Sequence, residues 1–283
     1  MNELLEFLLS DKATGTFSFG AFTLCHIIYL VLIILAISLT VYFYRNKSQE
    51  TKHKLVERTI IMAFGLYMLD FFLMPLSYGF IDIYKLPFHL CTAMSIMCML
   101  SRYNKRFAKF NTAFTIMGLV GALMYLTYPS GVLNYKGELF DGYCYRIVQT
   151  VIYHGLMIAY GVFSIAFKEI KLDLKWKSLK FDLIGIASLA VIAFIANHVY
   201  TTSNEIRVCD CTPDCMEVIV TQGIEYNWFF VKHDALYIIP DDIDIYFTPF
   251  AMVAVIFGMC VLIRLIGMKS LQLVENKKNK ASL

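Results

Sequence analysis

Charge is scarce in this sequence. Lys, Arg, Asp and Glu make up 17% of the 283 residues and leave a net charge of +3, so there is no basic surplus of the kind that grips a nucleic-acid backbone, and no nucleic-acid partner is expected. The chain also shows no convincing internal repeat, no low-complexity linker and no alternation of polar and apolar residues of the kind that builds a membrane barrel. Residues 1–20 hold Glu3, Glu6, Asp11 and Lys12 and lack a basic start followed by an uncharged apolar core. No secretory signal is expected there, and the first apolar run serves as its own insertion signal. No nucleotide, haem or metal motif of useful specificity is apparent, so no cofactor is expected. Gly118-x-x-Gly121 is flanked by apolar residues and reads as close helix packing, not as a phosphate loop.

What fills the sequence is apolar surface. Hydrophobic residues account for 58% of the chain, above the roughly 45–50% of a soluble domain, and the mean hydropathy is +0.61. Apolar runs lie at about 21–44, 58–80, 86–99, 112–126, 147–167, 181–200 and 245–266, the third and fourth being short. A spanning helix needs roughly 20 mostly apolar residues, so the expectation is an all-α polytopic bundle of about seven transmembrane helices in one domain, 1–283, multi-pass in the cell membrane with lipids as its partners. Orientation follows from the loops. Segments 45–58, 101–111 and 168–180 and the tail are rich in Lys and Arg, whereas 81–86 and 128–146 are poor in them and 201–244 carries Asp210, Asp214, Glu217, Asp241, Asp242 and Asp244. That alternation places the amino terminus outside and the carboxyl terminus in the cytoplasm.

The same topology sorts the cysteines. Cys25, Cys91, Cys98 and Cys260 fall in spans, while Cys144, Cys209, Cys211 and Cys215 fall outside. An even set in an oxidising compartment points to disulfides that staple the extracytoplasmic 201–244 loop to the 128–146 loop, with the pairing left open. The alternative, a metal site at Cys209-x-Cys211-x3-Cys215, lacks the paired spacing of common zinc sites.

Ionisable groups inside a membrane are costly and usually face the bundle interior. Four histidines on four runs, His26, His89, His154 and His198, fall in the outer half of the membrane, and Asp70 lies near the middle of the second run. Each histidine alone reads most simply as a structural hydrogen-bond donor between helices; together they suggest a polar cavity built by the first, third, fifth and sixth helices. Asn197, Ser95 and Cys91 add hydrogen-bonding or nucleophilic capacity. At about 100° per residue on a helix, His89 and Cys91 point apart, so a base for Cys91 must come from another helix, and His154 is the first choice. Cys91 shares a face with Ser95 and Cys98, and its bland reading is a small packing residue. The catalytic candidates are thus His89 and His154 as acid or base, Cys91 as nucleophile and Asn197 as a donor to an oxyanion. His26, Asp70, Ser95 and His198 are candidates for contacting substrate.

Leu86-Pro87-Phe88-His89-Leu90-Cys91, with Gly118-Leu119-Val120-Gly121, Tyr128-Pro129, His154-Gly155, Asn197 and Tyr226-Asn227-Trp228-Phe229-Phe230 following in order, resembles the YwaF-type bacterial integral membrane proteins over nearly the whole chain. His198 and the cysteine-bearing stretch near 204–222 depart from that pattern. A more distant resemblance is to the animal transmembrane protein 164 family. It implies acyl transfer onto ether phospholipids and, further off, membrane ester hydrolysis by a polar nucleophile and a histidine. In that family the nucleophilic cysteine is expected just before the third-helix histidine, where this chain has Phe88. Two readings follow: a lipid-active acyltransferase or ester hydrolase with a histidine-lined pocket in the outer leaflet, or a transporter, channel or receptor using the same polar groups with Asp70 as relay. A scaffold whose polar groups only join helices is the third.

Overall fold

Backbone groups in hydrocarbon must bond within their own segment, and the apolar runs of this chain accordingly fold as helices. The computed structural model describes residues 17–78, 85–128, 140–201, 228–230 and 241–281. Among them are seven long helices: α1 Leu24–Tyr44, α2 Gln49–Tyr78, α3 Leu90–Tyr103, α4 Asn111–Thr127, α5 Tyr145–Ala166, α6 Trp176–Thr201 and α7 Asp241–Ala281. A single-turn helix, Lys105–Ala108, joins α3 to α4, and a 3-10 turn, Trp228–Phe230, lies between α6 and α7. One short antiparallel pairing joins β1, Ser18–Phe19, to β2, Phe140–Asp141.

Among the described residues, four helical segments are long and apolar enough to cross a membrane: Leu24–Tyr44, Ile147–Ala166, Trp176–Tyr200 and Phe247–Asn276. The other three differ from these, two of them being the runs expected to be short. α3 has 14 residues and α4 has 17, about 21 and 26 Å at roughly 1.5 Å per residue, short of the ~30 Å hydrocarbon layer. α2 has 30 residues, but its first turns carry Glu50, Lys52, Lys54, Glu57 and Arg58.

The short helices are interior ones. α4 packs on α3, α5, α6 and α7, and Ile116, Met117, Val120 and Ala122 are fully buried. A helix walled by protein need not reach both membrane faces. α1 is the opposite case: it leans mainly on α5 and the β1 segment, leaving Ile27, Val31, Leu32, Ile34, Leu35 and Leu39 exposed, an apolar surface suited to lipid.

Close approach around α4 depends on glycine. A methyl group at Gly121 would lie 3.1 Å from the Cys91 amide nitrogen, and one at Gly118 would lie 2.9 Å from Cε of Met157 and 3.3 Å from Cβ of Met94. Gly118 and Gly121 thus seat α3 and α5 on α4, as their spacing inside an apolar run suggests.

Polar ties concentrate where α5 ends and α6 begins. Lys168, in the left-handed region at φ 59°, turns the chain after α5, and the Glu169 amide donates to the Ser164 carbonyl at 2.9 Å. The Glu169 carboxylate then accepts from His53 Nδ1 at 2.6 Å, Gln49 Nε2 at 3.2 Å and Arg102 at 3.5 Å, joining α2, α3 and α5. Arg264 of α7 grips Asp182 of α6 with two bonds of 2.8 Å, and both side chains are buried. Arg264 also donates to the Asp173 carbonyl at 3.4 Å. Partial burial works against ionisation of the Asp173 carboxyl, but hydrogen bonds from Ser178 and the Lys175 amide, with the Arg264 charge, outweigh it and hold that group below its ordinary value.

Two predictions follow from this packing. Removing one partner of a buried pair leaves a charge without compensation, so Asp182→Ala should destabilise the detergent-solubilised protein by about 3–5 kcal/mol, whereas Asp182→Leu combined with Arg264→Met should recover most of that loss; thermal unfolding of the three proteins measures it. Gly121→Val forces α3 away from α4 and should cost about 1–3 kcal/mol, read in the same assay, with Gly65→Val, where a methyl meets nothing within 4 Å, as the control.

Candidate active site

The first turn of α3 sits in the cleft that Gly121 leaves. His89 is the N-cap residue, with extended backbone (φ −81°, ψ 149°) and no side-chain cap bond, so the helix starts later than Pro87 suggests. The first intrahelical bond runs from the Ala93 amide to the His89 carbonyl at 2.9 Å. The amides of Leu90, Cys91 and Thr92 precede it and point out of the helix end, where the backbone dipoles favour negative charge.

Cys91 meets α5 there. His154 Nε2 lies 3.3 Å from the Cys91 sulfur, and His154 Nδ1 lies 2.8 Å from the Thr150 carbonyl. A carbonyl can only accept, so Nδ1 carries the proton and Nε2 presents its lone pair to the thiol. The imidazole is confined on both sides. The Tyr125 ring of α4 stacks on it at 3.7 Å between centroids with an interplanar angle of 10°, and Tyr153 meets it edge to face at 4.9 Å and 84°. Tyr153 also donates to the Cys91 carbonyl at 3.0 Å, a second tie between α5 and the first turn of α3.

α2 closes the other side. The Tyr67 hydroxyl donates to the Lys85 carbonyl at 3.0 Å, and the Lys85 ammonium is bonded to the Asp70 carboxylate. Asp70 is therefore not an isolated group at mid-bundle: it clamps the chain just before α3 and lies at the level of the dyad. Gln149 of α5, buried, donates to the Leu66 carbonyl of α2 at 3.2 Å.

The Trp228–Phe230 turn docks on the same end. The Trp228 amide donates to Asn197 Oδ1 at 2.8 Å and Asn197 Nδ2 donates to the Trp228 carbonyl at 3.1 Å. The Phe229 amide donates to His89 Nδ1 at 3.4 Å, with Phe229 in the left-handed region at φ 61°. The Trp228 ring is fully buried against Phe88 and Tyr200. Phe88, which stands where a nucleophile would precede the histidine, is thus a packing surface for this turn.

The remaining candidates read from the sequence separate. His89, Cys91 and His154 come together. His26 does not join them: its Nδ1 accepts from the Phe22 amide at 3.0 Å and its Nε2 donates to the Leu126 carbonyl at 2.7 Å, so the ring is spent on tying α1 to the last turn of α4. His198 is exposed on α6, one residue from buried Asn197. Asn197, expected as an oxyanion donor, faces the Trp228 backbone, which engages both ends of its amide. Ser95 is buried and donates to the Thr92 carbonyl at 2.9 Å. Instead of the four-helix layer expected from the histidines, the site draws on α2, α3, α4 and α5.

Cys144 is not displayed in an outer loop but is the N-cap residue of α5, buried with Cys25, Phe19, Ile147 and Val151. No disulfide forms among the described residues; Cys209, Cys211 and Cys215, on which the expected staple depends, lie outside them, as does most of the 201–244 loop. Among the described residues no group of three His, Cys, Asp or Glu side chains is arranged to hold a metal ion.

Tyr125, Tyr153, Thr150 and Tyr67 were not singled out in the sequence. The available signal was positional: Tyr125 follows Gly118 and Gly121 by seven and four residues, which puts all three on one face of α4.

Comparison with curated proteins and with solved structures found no match. A family model does match, that of the TMEM164 family, across residues 21–269. That range runs from the residues just before α1 into the later turns of α7 and includes both members of the Cys91–His154 pair, and over such a span the match is decisive: this membrane protein belongs to the TMEM164 family.

Proposed function

We propose that the protein is a membrane-embedded, lipid-active acyl-transfer enzyme, an acyltransferase or ester hydrolase, with Cys91 as nucleophile and His154 as its base. The observation that carries this reading is the 3.3 Å approach of His154 Nε2 to the Cys91 sulfur, with the tautomer fixed by the Thr150 carbonyl. A thiol becomes a strong nucleophile only as thiolate, and an oriented imidazole is the usual group to take its proton. Membership of the TMEM164 family and the resemblance to enzymes of ether-phospholipid acylation support a lipid ester as substrate.

The step balances as follows. His154 Nε2 takes the Cys91 proton, and the sulfur attacks the ester carbonyl of a donor lipid. Negative charge then develops on the carbonyl oxygen, for which the amides of the first turn of α3 are nearby preorganised donors, those of Cys91 and Thr92 already being directed at the Cys91 sulfur. The tetrahedral species collapses to a thioester on Cys91 as the departing alkoxide takes the proton back from His154. A second hydroxyl, from an acceptor lipid in an acyltransferase or from water in a hydrolase, gives its proton to the freed Nε2 and attacks the thioester, releasing the new ester or acid and restoring the thiol. His89, held by Phe229, and Asn197, held by Trp228, serve in this reading to seat the turn over the site.

Seven passes with the amino terminus outside remain the topology we infer. The basic connections 45–58, 101–111 and 168–180 all gather at the Glu169 end of the bundle, and the distribution of Lys and Arg assigns such an end to the cytosol. The dyad then lies toward the outer leaflet. A transport path is less well supported: below Cys91 and His154 the buried side chains of α3, α4 and α5 are mostly apolar, among them Met94, Cys98, Met117, Val120 and Met157, with buried Ser95 and Thr115 as the polar side chains beside them.

A lipid-like, thiol-reactive activity probe applied to the detergent-solubilised protein tests the reading. Labelling should be lost in Cys91→Ala, fall by about 10²–10⁴-fold in rate in His154→Ala, and persist in His26→Ala and His198→Ala. A wild-type protein that labels no faster than its denatured form would remove Cys91 from catalysis, and pH-driven flux in proteoliposomes abolished by Asp70→Asn would replace this reading by transport.

A further inference from the structure

The stacked pair Tyr125–His154 has no role in the proton bookkeeping above, yet it is the closest ring contact in the site. Both side chains are buried, their centroids are 3.7 Å apart and their planes differ by 10°. Two neutral rings gain more from offset or edge-on contact than from lying face to face, because the faces of both carry negative charge. A positively charged ring reverses that preference: a cation over a tyrosine face is attracted by the ring quadrupole, most strongly where water is excluded. The arrangement therefore suits the imidazolium better than the imidazole.

The geometry points to Tyr125 as a positioning residue for the Cys91–His154 pair, one whose ring face stabilises the positive charge that His154 acquires when Cys91 gives up its proton. This inference rests on the acyl-transfer reading and extends it to a residue on α4 that neither gives nor takes the proton in that reading. Cys91 S–H loses its proton to His154 Nε2, while Nδ1–H stays on the Thr150 carbonyl, so the imidazolium charge is shared between a backbone oxygen along the ring edge and a π face above the plane. The other titratable groups around the ring are Tyr153 on its own helix, His89 at the approach to α3, and, from α2, Tyr67, beyond which lie Asp70 and Lys85 as a closed ion pair. None of these presents a ring face parallel to His154 among the described residues. Position 125 is fixed by the packing already described, since Gly121, one turn earlier, seats Cys91.

The test is the pH dependence of Cys91 alkylation by iodoacetamide in the full-length detergent-solubilised protein, followed by mass spectrometry of the Cys91 peptide. Tyr125→Phe keeps the ring face and should retain the wild-type profile. Tyr125→Leu keeps apolar bulk without a π face; its rate at neutral pH should fall about three- to tenfold, with the half-maximal point displaced to higher pH and the alkaline plateau preserved. A purely structural role would lower the plateau or the thermal stability without moving the profile along the pH axis. If the leucine variant unfolds, Tyr125→Met supplies the same comparison with a flexible side chain. A Tyr125→Leu or Tyr125→Met profile that superimposes on wild type overturns the inference, as does a Tyr125→Phe profile displaced as far as theirs. His154→Ala separates the two levels: if it alkylates at neutral pH as fast as wild type, the dyad reading itself fails, whereas a large loss there with no effect at Tyr125 removes only the role of the tyrosine.

Discussion

Everything at the site hangs on how closely α3 can approach α4. The Cys91 amide lies where a methyl on Gly121 would be only 3.1 Å away, so glycine is what lets the first turn of α3 sink against the central helix. That approach fixes the depth and rotation of Cys91. Because α4 is also the helix on which α5 rests, the same face sets His154 through Tyr125. One short interior helix thus aligns two groups, from helices far apart in sequence, to within hydrogen-bonding distance. A dyad assembled from two lipid-facing helices would have no such common seat, and small residues at the contact are how helices gain close packing without a hydrophobic driving force between them.

The bundle keeps its polar groups in two separated sets, and the separation has physical sense. At the Glu169 end, Asp182 meets Arg264, and Glu169 meets Arg102 and the ring nitrogen of His53. Those bonds join α2, α3, α5, α6 and α7 where the chain carries most of its basic residues, and they hold the ends of helices that are otherwise joined by apolar packing. At the dyad end, the contacts that orient His154 are a backbone carbonyl and aromatic rings. Between the sets lies the methionine-rich layer around Gly118. Met94 and Met157 pack closely against Gly118 in that layer, with buried Ser95 and Thr115 as the polar side chains near them.

What the sequence made legible was depth; what it concealed was azimuth. Apolar runs and basic loops locate each residue along the bundle, which is why His26, His89, His154 and His198 group at related depth, and the helical spacing of His89 from Cys91 directs the choice of base to another helix. Rotation about each helix axis depends on packing partners that one sequence does not reveal. His198 and Asn197 are neighbours, but one is exposed and the other buried, a consequence of the roughly 100° turn between successive residues. His26 lies at a suitable depth and is consumed by two backbone groups. Lys85 transforms Asp70 from a mid-membrane carboxylate into half of an ion pair, and no periodicity announces that fold-back. Tyr125 was hidden by abundance, in a chain with 18 tyrosines; only its register with Gly118 and Gly121 sets it apart.

The choice of Thr150 as the group that orients His154 fits the solvent in which the site works. In water-soluble triads the third member is commonly a carboxylate, which both fixes the tautomer and balances the imidazolium. Inside an apolar bundle a buried carboxylate carries a desolvation cost that only a well-placed partner offsets, and the nearby carboxylate, Asp70, is already engaged with Lys85. A carbonyl fixes the tautomer equally well and brings no net charge, but by itself it offers less to the imidazolium. The face of Tyr125 supplies part of what is missing, also without net charge. In the acyl-transfer reading we propose, the resting dyad itself then carries no net charge, and charge separation arises only as the thiol gives up its proton, near the amides at the start of α3.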